Sequence, residues 1–410
     1  MSQSQSFLAL RHPGFRMFFI GNATAMLADN MEHVISYWVM YQKFHSPELG
    51  GYAVISHWLP FLFLSIPVGV LTDRFDPRRM IQFGMLLFMS VSLTWGVLFA
   101  TDALQVWHCR LLLIAHGIAG VFWNTPSQLL LHDIVEPHQL QSAVRSNATA
   151  RYLGTVMGPA VGSGLLLLLQ PAHAMFVNML VYLPLLLWLW RAPYGPKFRT
   201  EKHMQRAIKG FADVFETIRA VAGMPVIVSM ILLSGLASFF IGTAYQAQMP
   251  GFATMLGHGN PGVAYGALLA ADAAGALTAG LVLEGRGLLH PKPVTALMLA
   301  GLWCLCLMVF ALSGNYPLAL VVLFAAGFLE LAFGAMSQTL VQINAPADIR
   351  GRVIGVFAMA ALGMRTFSGV TVGLMGDVVG IRGSLSMSAG VLLLSVLALY
   401  AFNNRRRFPA

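Results

Sequence analysis

The chain has 410 residues and a formal net charge of +9; 57% of its residues are hydrophobic and only 10% are charged. A soluble domain of average composition has roughly 25% charged residues. This chain therefore carries too little charge to cover a surface in water, and disordered, collagen-like and coiled-coil proteins are excluded as well. Its apolar runs are about 20 residues long and do not alternate, which argues against a β-barrel and predicts an all-α membrane protein.

Twelve apolar segments follow one another along the chain, each long enough to cross a hydrocarbon core of about 30 Å at about 1.5 Å per residue. They lie at about 17–43, 50–72, 79–100, 106–131, 140–169, 172–191, 224–248, 261–284, 292–313, 316–343, 351–377 and 382–403. Apolar residues recur at helical spacing from Gln205 to Val221, between the sixth and seventh segments. We predict an N-terminal six-helix bundle over 1–191, a cytoplasmic linker with an amphipathic helix over 192–223, and a C-terminal six-helix bundle over 224–410.

The distribution of basic residues predicts the orientation of these spans. With both termini in the cytoplasm, 20 of the 25 Lys and Arg residues fall in inner loops and inner span ends, and only Lys43, Arg110 and Arg382 fall in outer loops. Cytoplasmic loops of membrane proteins carry such an excess. Contact with lipid of the inner leaflet then accounts for the positive charge, and no nucleic-acid partner is expected.

The two halves of the sequence resemble each other at a nearly constant offset. The matching positions are Gly69 and Asp73 with Gly280 and Glu284, Ser127-Gln128 with Ser337-Gln338, and Pro137 and Gly154 with Pro346 and Gly363. Three separated matches predict a duplicated unit of six helices. Parallel repeats of this kind are typical of transporters that work by alternating access around a site at the middle of the membrane.

The loop after the second segment reads Gly69-Val-Leu-Thr-Asp73-Arg74-Phe-Asp-Pro-Arg78-Arg79 and resembles the signature loop of the major facilitator superfamily. It has Asp-Pro where that loop usually has a Gly. The Gly permits close packing of helices, and Asp73 can cap the N-terminus of a neighbouring helix.

The resemblance implies an inner gating motif and the partners of its charged residues. Asp73 is expected near the start of the eleventh segment, around Gly351, and Arg74 or Arg78 near Asp133 at the end of the fourth. Glu284 is the counterpart of Asp73 in the second half.

The fifth segment carries Gly154, Gly158, Pro159 and Gly162, which resemble the Gly-Pro motif common in exporters of this superfamily. Small residues every four positions let helices approach closely, and the pattern also serves packing in importers. The N-terminal Leu-Arg-His-Pro-Gly-Phe-Arg and the run from Val341 to Gly355 resemble the branch of siderophore and drug exporters of the enterobactin-exporter type. This likeness implies a multi-pass protein of a bacterial inner membrane, and we expect a monomer.

Ionisable residues inside the predicted spans are the candidate site residues. They are Asp29, Glu32 and His33 with the adjacent Asn30 in the first segment, Arg151 in the fifth, Asp272 in the eighth, Glu330 in the tenth and Arg365 in the eleventh. Each such charge costs roughly 2.5–3.5 kcal/mol at the middle of a membrane. Four carboxylates against two arginines leave a net charge of −2, which predicts bound protons or a bound cation.

The spacing i, i+3, i+4 puts Asp29, Glu32 and His33 on one helix face, which makes this cluster the first candidate for a coupling proton. Asp272 and Glu330 come next; the alternative is that one of them pairs with Arg365 to hold helices together. One face of one helix supplies only part of a metal shell, so no metal site is assigned. His57 and His116 are interpreted as hydrogen-bonded packing residues.

These features predict a secondary transporter and not an enzyme, since no nucleotide-binding loop or nucleophile pattern is present. The leading hypothesis is proton-coupled export of an amphipathic small molecule, a siderophore or a drug-like compound. No cofactor is expected, because the proton gradient supplies the driving force. The alternative is proton-coupled or facilitated uptake of a nutrient or a divalent metal ion.

The topology can be checked with reporter fusions. A reporter inserted near Lys202 or fused after Phe408 should read cytoplasmic, and one inserted near Gly259 should read periplasmic, because the basic loops stay inside. A periplasmic signal at Lys202 would overturn the model of twelve spans.

Overall fold

The computed structural model describes residues 7–44, 47–198, 211–257, 261–285 and 289–406, and this part of the chain is helical without a strand. Its α-helices are α1 (Pro13–Phe44), α2 (Pro47–Thr72), α3 (Pro77–Ala100), α4 (Val106–Ile134), α5 (Leu140–Leu168), α6 (Pro171–Val181), α7 (Leu183–Arg191), α8 (Phe211–Ala222), α9 (Pro225–Phe240), α10 (Ala244–Ala247), α11 (Met249–Met255), α12 (Pro261–Gly285), α13 (Pro293–Leu312), α14 (Tyr316–Asn344), α15 (Arg350–Ala358), α16 (Arg365–Ser368) and α17 (Met375–Arg406).

Proline sets where many of these helices begin. Seven helices start at a proline, namely α1, α2, α3, α6, α9, α12 and α13. The first helical position needs no backbone N–H and suits the fixed φ of proline. At α3, Asp76 precedes Pro77, and its side chain accepts a hydrogen bond from the backbone N–H of Arg78. The Asp-Pro pair that departs from the family pattern therefore caps a helix here.

Among the described residues, ten helical stretches are long and apolar enough to cross a membrane. The other two predicted spans are α1 and α5, which have 32 and 29 residues. They are more polar because they carry charged and amide side chains, such as Asp29 and Glu32 on α1 and Arg145 and Asn147 on α5. Length alone would let both cross a hydrocarbon core of about 30 Å.

Several predicted segments are divided in the structure. The sixth is interrupted at Tyr182, and the seventh ends at Phe240 before two short helices. The eleventh contains two π-helical stretches, Met359–Gly363 and Gly369–Leu374. The predicted linker helix is observed as α8, and its predicted start at 205–210 lies outside the described residues.

The chain forms two compact units. The N-terminal unit consists of the described parts of Leu8–Thr217 and Pro346–Ala358. The C-terminal unit consists of those of Ile218–Ala345 and Met359–Ala410, together with Phe7. Helix α15 thus groups with the N-terminal unit, although the sequence repeat assigns it to the second half. The change of unit after Ala358 coincides with the start of the first π-helical stretch.

Glycines allow the helices of each unit to approach at backbone distance. In the N-terminal unit, a Cβ added at Gly154 would lie 2.5 Å from the Met26 side chain, and one at Gly162 would lie 3.3 Å from the backbone of Met31. Gly158, between them, faces Asn30. Helix α5 therefore packs against α1 along a stripe of small residues, as the Gly-Pro motif predicts.

We expect alanine at Gly158 to lower the free energy of unfolding by about 1–3 kcal/mol, because the new methyl group would overlap Asn30. Alanine at Gly164 should instead raise it by roughly 0.5–1 kcal/mol, since nothing lies within 4 Å of the added Cβ and alanine favours helix. Unfolding in detergent measures both. Equal effects would contradict the close approach of α1 and α5.

Candidate transport site

The imidazole of His116 on α4 bridges the two acidic residues of α1. Its Nε2 lies 2.8 Å from Oδ1 of Asp29, and its Nδ1 lies 2.8 Å from Oε1 of Glu32. All three side chains are buried. The helical spacing that puts Asp29 and Glu32 on one face is thus what allows a single ring from another helix to contact both.

Glu32 has two further donors. The hydroxyl of Ser92 on α3 donates to Oε2 of Glu32, and the amide of Asn178 on α6 donates to the same oxygen over 3.3 Å and to the Ser92 hydroxyl over 3.1 Å. Four helices of the N-terminal unit therefore converge on one carboxylate. These contacts supply the hydrogen bonds that a buried carboxylate would otherwise lose with water.

The interpretation of His116 as a packing residue is incomplete. The ring is buried and hydrogen-bonded, but both of its partners are carboxylates, so it belongs to the charged cluster. An imidazole that carries two protons can donate to both acids, whereas a neutral imidazole donates to only one. Sequence spacing could not reveal this contact, because His116 and the two acids are more than 80 residues apart.

Two more histidines line the same cluster. The His33 ring lies 4.7 Å from the His116 ring and 4.8 Å from the His57 ring, between ring centroids. Both His33 and His57 are partly exposed, whereas His116 is buried. His33 therefore joins Asp29 and Glu32, as the shared helix face predicts, and His57 is a member that the sequence did not indicate.

A second polar cluster lies in the C-terminal unit, around Tyr245 on α10. Its hydroxyl is 3.0 Å from Oδ2 of Asp272 on α12 and 3.2 Å from Oε2 of Glu330 on α14. The amide of Gln246 donates to Oδ2 of Asp272 over 3.1 Å. The sequence identified both acids, but not the tyrosine and amide that bind them.

Close packing of α12 and α14 brings the two acids together. A Cβ added at Gly327 would overlap the backbone carbonyl of Asp272, and one at Gly275 would overlap that of Phe324. Glu330 lies one helical turn beyond Gly327, on the face that meets Asp272. Small residues at this crossing are thus what place two carboxyl groups within reach of one hydroxyl.

The remaining candidate residues are Asn30, Arg151 and Arg365. The Asn30 amide donates to the Met26 backbone carbonyl and packs against α5 instead of joining the His116 cluster. Arg151 lies on α5 in the N-terminal unit, and Arg365 begins α16 in the C-terminal unit.

Asp73 makes the contact that the motif loop predicts. Its carboxylate accepts hydrogen bonds from the backbone N–H groups of Gly351 over 2.6 Å and Arg352 over 3.1 Å, and lies 3.4 Å from Nε of Arg352. These N–H groups belong to the first turn of α15 and have no partner within the helix. A Cβ at Gly69 would overlap the Gly351 carbonyl, so this glycine is needed for the approach. The gating role of Asp73 stays a prediction.

Arg78, one of the two arginines expected near Asp133, has other partners. Arg78 binds Asp76, with its NH2 group 2.6 Å from Oδ2, and donates to the carbonyl of Ala192 instead of reaching Asp133. Capping by Asp76 holds the guanidinium at the start of α3. Asp133 lies in the last turn of α4, and the side chain of Glu284 lies outside the described part.

Comparison with known proteins agrees with this architecture. A family model described as transmembrane secretion effector matches residues 4–407. The enterobactin exporter of Shigella boydii is 24% identical over 418 residues, which cover 97% of this chain and 94% of that protein.

Solved structures of other transporters share the fold. The human organic anion transporter MFSD10 superposes with a TM-score of 0.75 at 12% identity, over 94% of this chain and 99% of that one. The fucose:proton symporter of E. coli superposes with a TM-score of 0.69 at 12% identity, over 95% and 98%. At such low identity these likenesses show the major facilitator fold alone.

The Asp73 contact should depend on pH. Burial raises the pKa of Asp73 to about 6, against the opposing effect of the two backbone N–H groups and Arg352. The ordinary value is 3.8. The Asp73 carboxyl therefore binds a proton more tightly when it contacts α15 than when it is separated from that helix. By linkage the contact should strengthen as the pH falls through about 6 and weaken as the pH rises through it.

Hydrogen exchange of the segment 350–358, corrected for the intrinsic exchange rate, measures this dependence. Protection should increase on going from about pH 7.5 to about pH 5. Asp73→Asn should remove the dependence, whereas Arg79→Ala should keep it, since Arg79 donates to Gln82 on its own helix. Protection that decreases on acidification would contradict the assignment.

Proposed function

The chain belongs to the transmembrane secretion effector family of the major facilitator superfamily, and on this basis we propose that it is a proton-coupled exporter of an amphipathic small molecule. That it is a transporter follows from the family. Export of a siderophore or drug-like compound is supported by the likeness to an enterobactin exporter over almost the whole chain. The duplicated six-helix repeat supports an alternating-access mechanism.

The observation that carries the coupling proposal is the single hydroxyl between Asp272 and Glu330. A phenol has one hydrogen, so Tyr245 donates to one carboxylate at a time. Its contact of 3.2 Å with the second acid is a hydrogen bond only when that carboxyl group carries a proton. The arrangement is therefore suited to a pair of acids that shares one proton.

The surroundings of Asp272 and Glu330 also favour a single proton shared between the two carboxyl groups. Asp272 and Tyr245 are buried, and Oδ1 of Asp272 is enclosed without a hydrogen-bond partner among the residues that the structure describes. Two ionised carboxylates this close repel each other, and burial adds the cost of desolvation. Among the described residues, the groups that act on the carboxyl of Asp272 are Glu330, Tyr245 and Gln246, and these three carry no positive charge.

Exchange of a proton for substrate then follows because both compete for the carboxyl groups of Asp272 and Glu330. A substrate with a cationic or hydrogen-bond-donating group stabilises the doubly ionised pair and so favours release of the shared proton. Protonation from the other side of the membrane favours release of the substrate. Such reciprocal coupling between two ligands is what an antiporter requires.

This proposal moves the first candidate for the coupling proton from α1 to the C-terminal unit. In the N-terminal unit, Asp29 and Glu32 share His116, a basic group that can donate to both acids when its ring carries two protons. Asp272 in the C-terminal unit has a phenol and an amide instead, and neither can supply positive charge. A proton that comes and goes is therefore better supported at Asp272 and Glu330.

Gradient-driven transport tests the proposal. In inside-out vesicles with an imposed pH gradient, we expect Asp272→Asn and Glu330→Gln each to lower the accumulation of a transported probe by about 5- to 150-fold, the range of usual coupling free energies. Enterobactin and a lipophilic cationic dye are the first probes. Each variant should retain binding and movement down a gradient, because only the coupling is removed.

The matched control is Asp102→Asn. This carboxylate pairs with Lys43 but is 92% exposed, so its loss should leave accumulation unchanged. Tyr245→Phe keeps both acids and removes the bridging hydroxyl, and should weaken coupling. Full gradient-driven transport in both acid variants would mean that the coupling proton binds elsewhere.

A further inference from the structure

Three imidazoles and a carboxylate from three different helices meet in the N-terminal unit. The nearest ring nitrogens of His33 on α1, His57 on α2 and His116 on α4 lie within 4.8 Å of one another. Asp29 contacts the same ring of His116. We propose that these four side chains bind one divalent transition-metal ion.

The distances between the four ligand side chains fit a tetrahedral metal ion after small side-chain rotations. With bonds of about 2.0–2.2 Å, two ligand atoms on one tetrahedral ion lie about 3.4 Å apart. Oδ1 of Asp29 and Nε2 of His116 are 2.8 Å apart, and the three imidazoles have a spacing of up to 4.8 Å. On binding the ion, Asp29 and His116 would therefore move slightly apart, and the rings of His33 and His57 would move closer. His33 and His57 are partly exposed, which leaves room for this adjustment.

Glu32 holds His116 in the tautomer that can bind a metal ion. The Nδ1–H of His116 can donate to Oε1 of Glu32 over 2.8 Å, which leaves Nε2 as the ligand nitrogen. Ser92 and Asn178 fix Glu32 from the other side. A carboxylate that orients a histidine, itself held by further hydrogen bonds, is the usual support of a metal-binding imidazole.

Charge and donor type indicate the class of ion. Asp29 and Glu32 place two carboxylates in the interior, with 7% and 2% of their surfaces exposed. A divalent ion balances both. Three nitrogen ligands with one oxygen suit Zn²⁺, Co²⁺, Ni²⁺ or Fe²⁺, whereas Mg²⁺ and Ca²⁺ require shells of oxygen.

The inference is independent of the proposed coupling site. The cluster lies in the N-terminal unit, and Tyr245 with its two acids lies in the other. Binding of the metal alone can be measured without transport. A negative result here would leave the proton-coupling proposal standing, and the converse holds as well.

The experiment uses the full chain, purified in detergent without a polyhistidine tag and freed of metal with a chelator. Zn²⁺ binding is followed by calorimetry, and Co²⁺ binding by its visible absorption, which reports four-coordinate geometry with nitrogen ligands. We expect one ion per chain. The absence of stoichiometric binding for both ions would overturn the proposal.

Variants assign the site to these residues. His33→Ala leaves the bonds of His116 to both acids in place, so it should fold, and it should weaken binding at least about tenfold. Glu32→Gln should weaken binding by about 10- to 100-fold through the orientation of His116. His173→Ala, an exposed histidine of α6, is the matched control and should bind as the unmodified chain does. Equal affinity in all three variants would place any bound metal elsewhere and refute the assignment.

Discussion

A carboxylate inside a membrane protein must receive from the protein the hydrogen bonds and charge that water would otherwise provide. One polar cluster in each unit follows from this constraint. Glu32 draws donors from three other helices, and Asp272 draws a phenol and an amide from α10. The buried acids thus act as points at which helices are fixed in rotation and depth, since a shift of one turn would leave a charge without its partner.

The chemistry of each cluster depends on which group bridges the acids. An imidazole can hold two protons or give up one nitrogen to a metal ion, so the cluster of His116 can balance its negative charge in two ways. A phenol supplies one hydrogen and no positive charge. For the acids bridged by Tyr245 we therefore propose a shared proton, which a cationic group of the substrate can replace. This difference is the physical reason for placing metal binding in one unit and proton exchange in the other.

Both clusters also require close approach of helix backbones, because their side chains reach one another only when the helices that carry them nearly touch. Gly154, Gly158 and Gly162 provide the approach in the N-terminal unit, and Gly275 and Gly327 in the C-terminal unit. Gly69 does the same where α2 meets the start of α15. There the carboxylate of Asp73 binds two N–H groups that the helix itself cannot satisfy. A segment from the second half of the sequence thereby becomes part of the N-terminal unit.

The sequence by itself determined the class of the protein, the positions of most helices and the identity of the buried acids. Each follows from local information: run length, prolines at helix starts, and charges inside apolar runs. The i, i+3, i+4 spacing also placed Asp29, Glu32 and His33 on one face. Only the tertiary structure decided that His116 and Tyr245 bridge the acids and that Arg78 donates to the carbonyl of Ala192. Those contacts join helices distant in sequence, and their geometry depends on how closely and at what depth the helices pack, which no local pattern specifies.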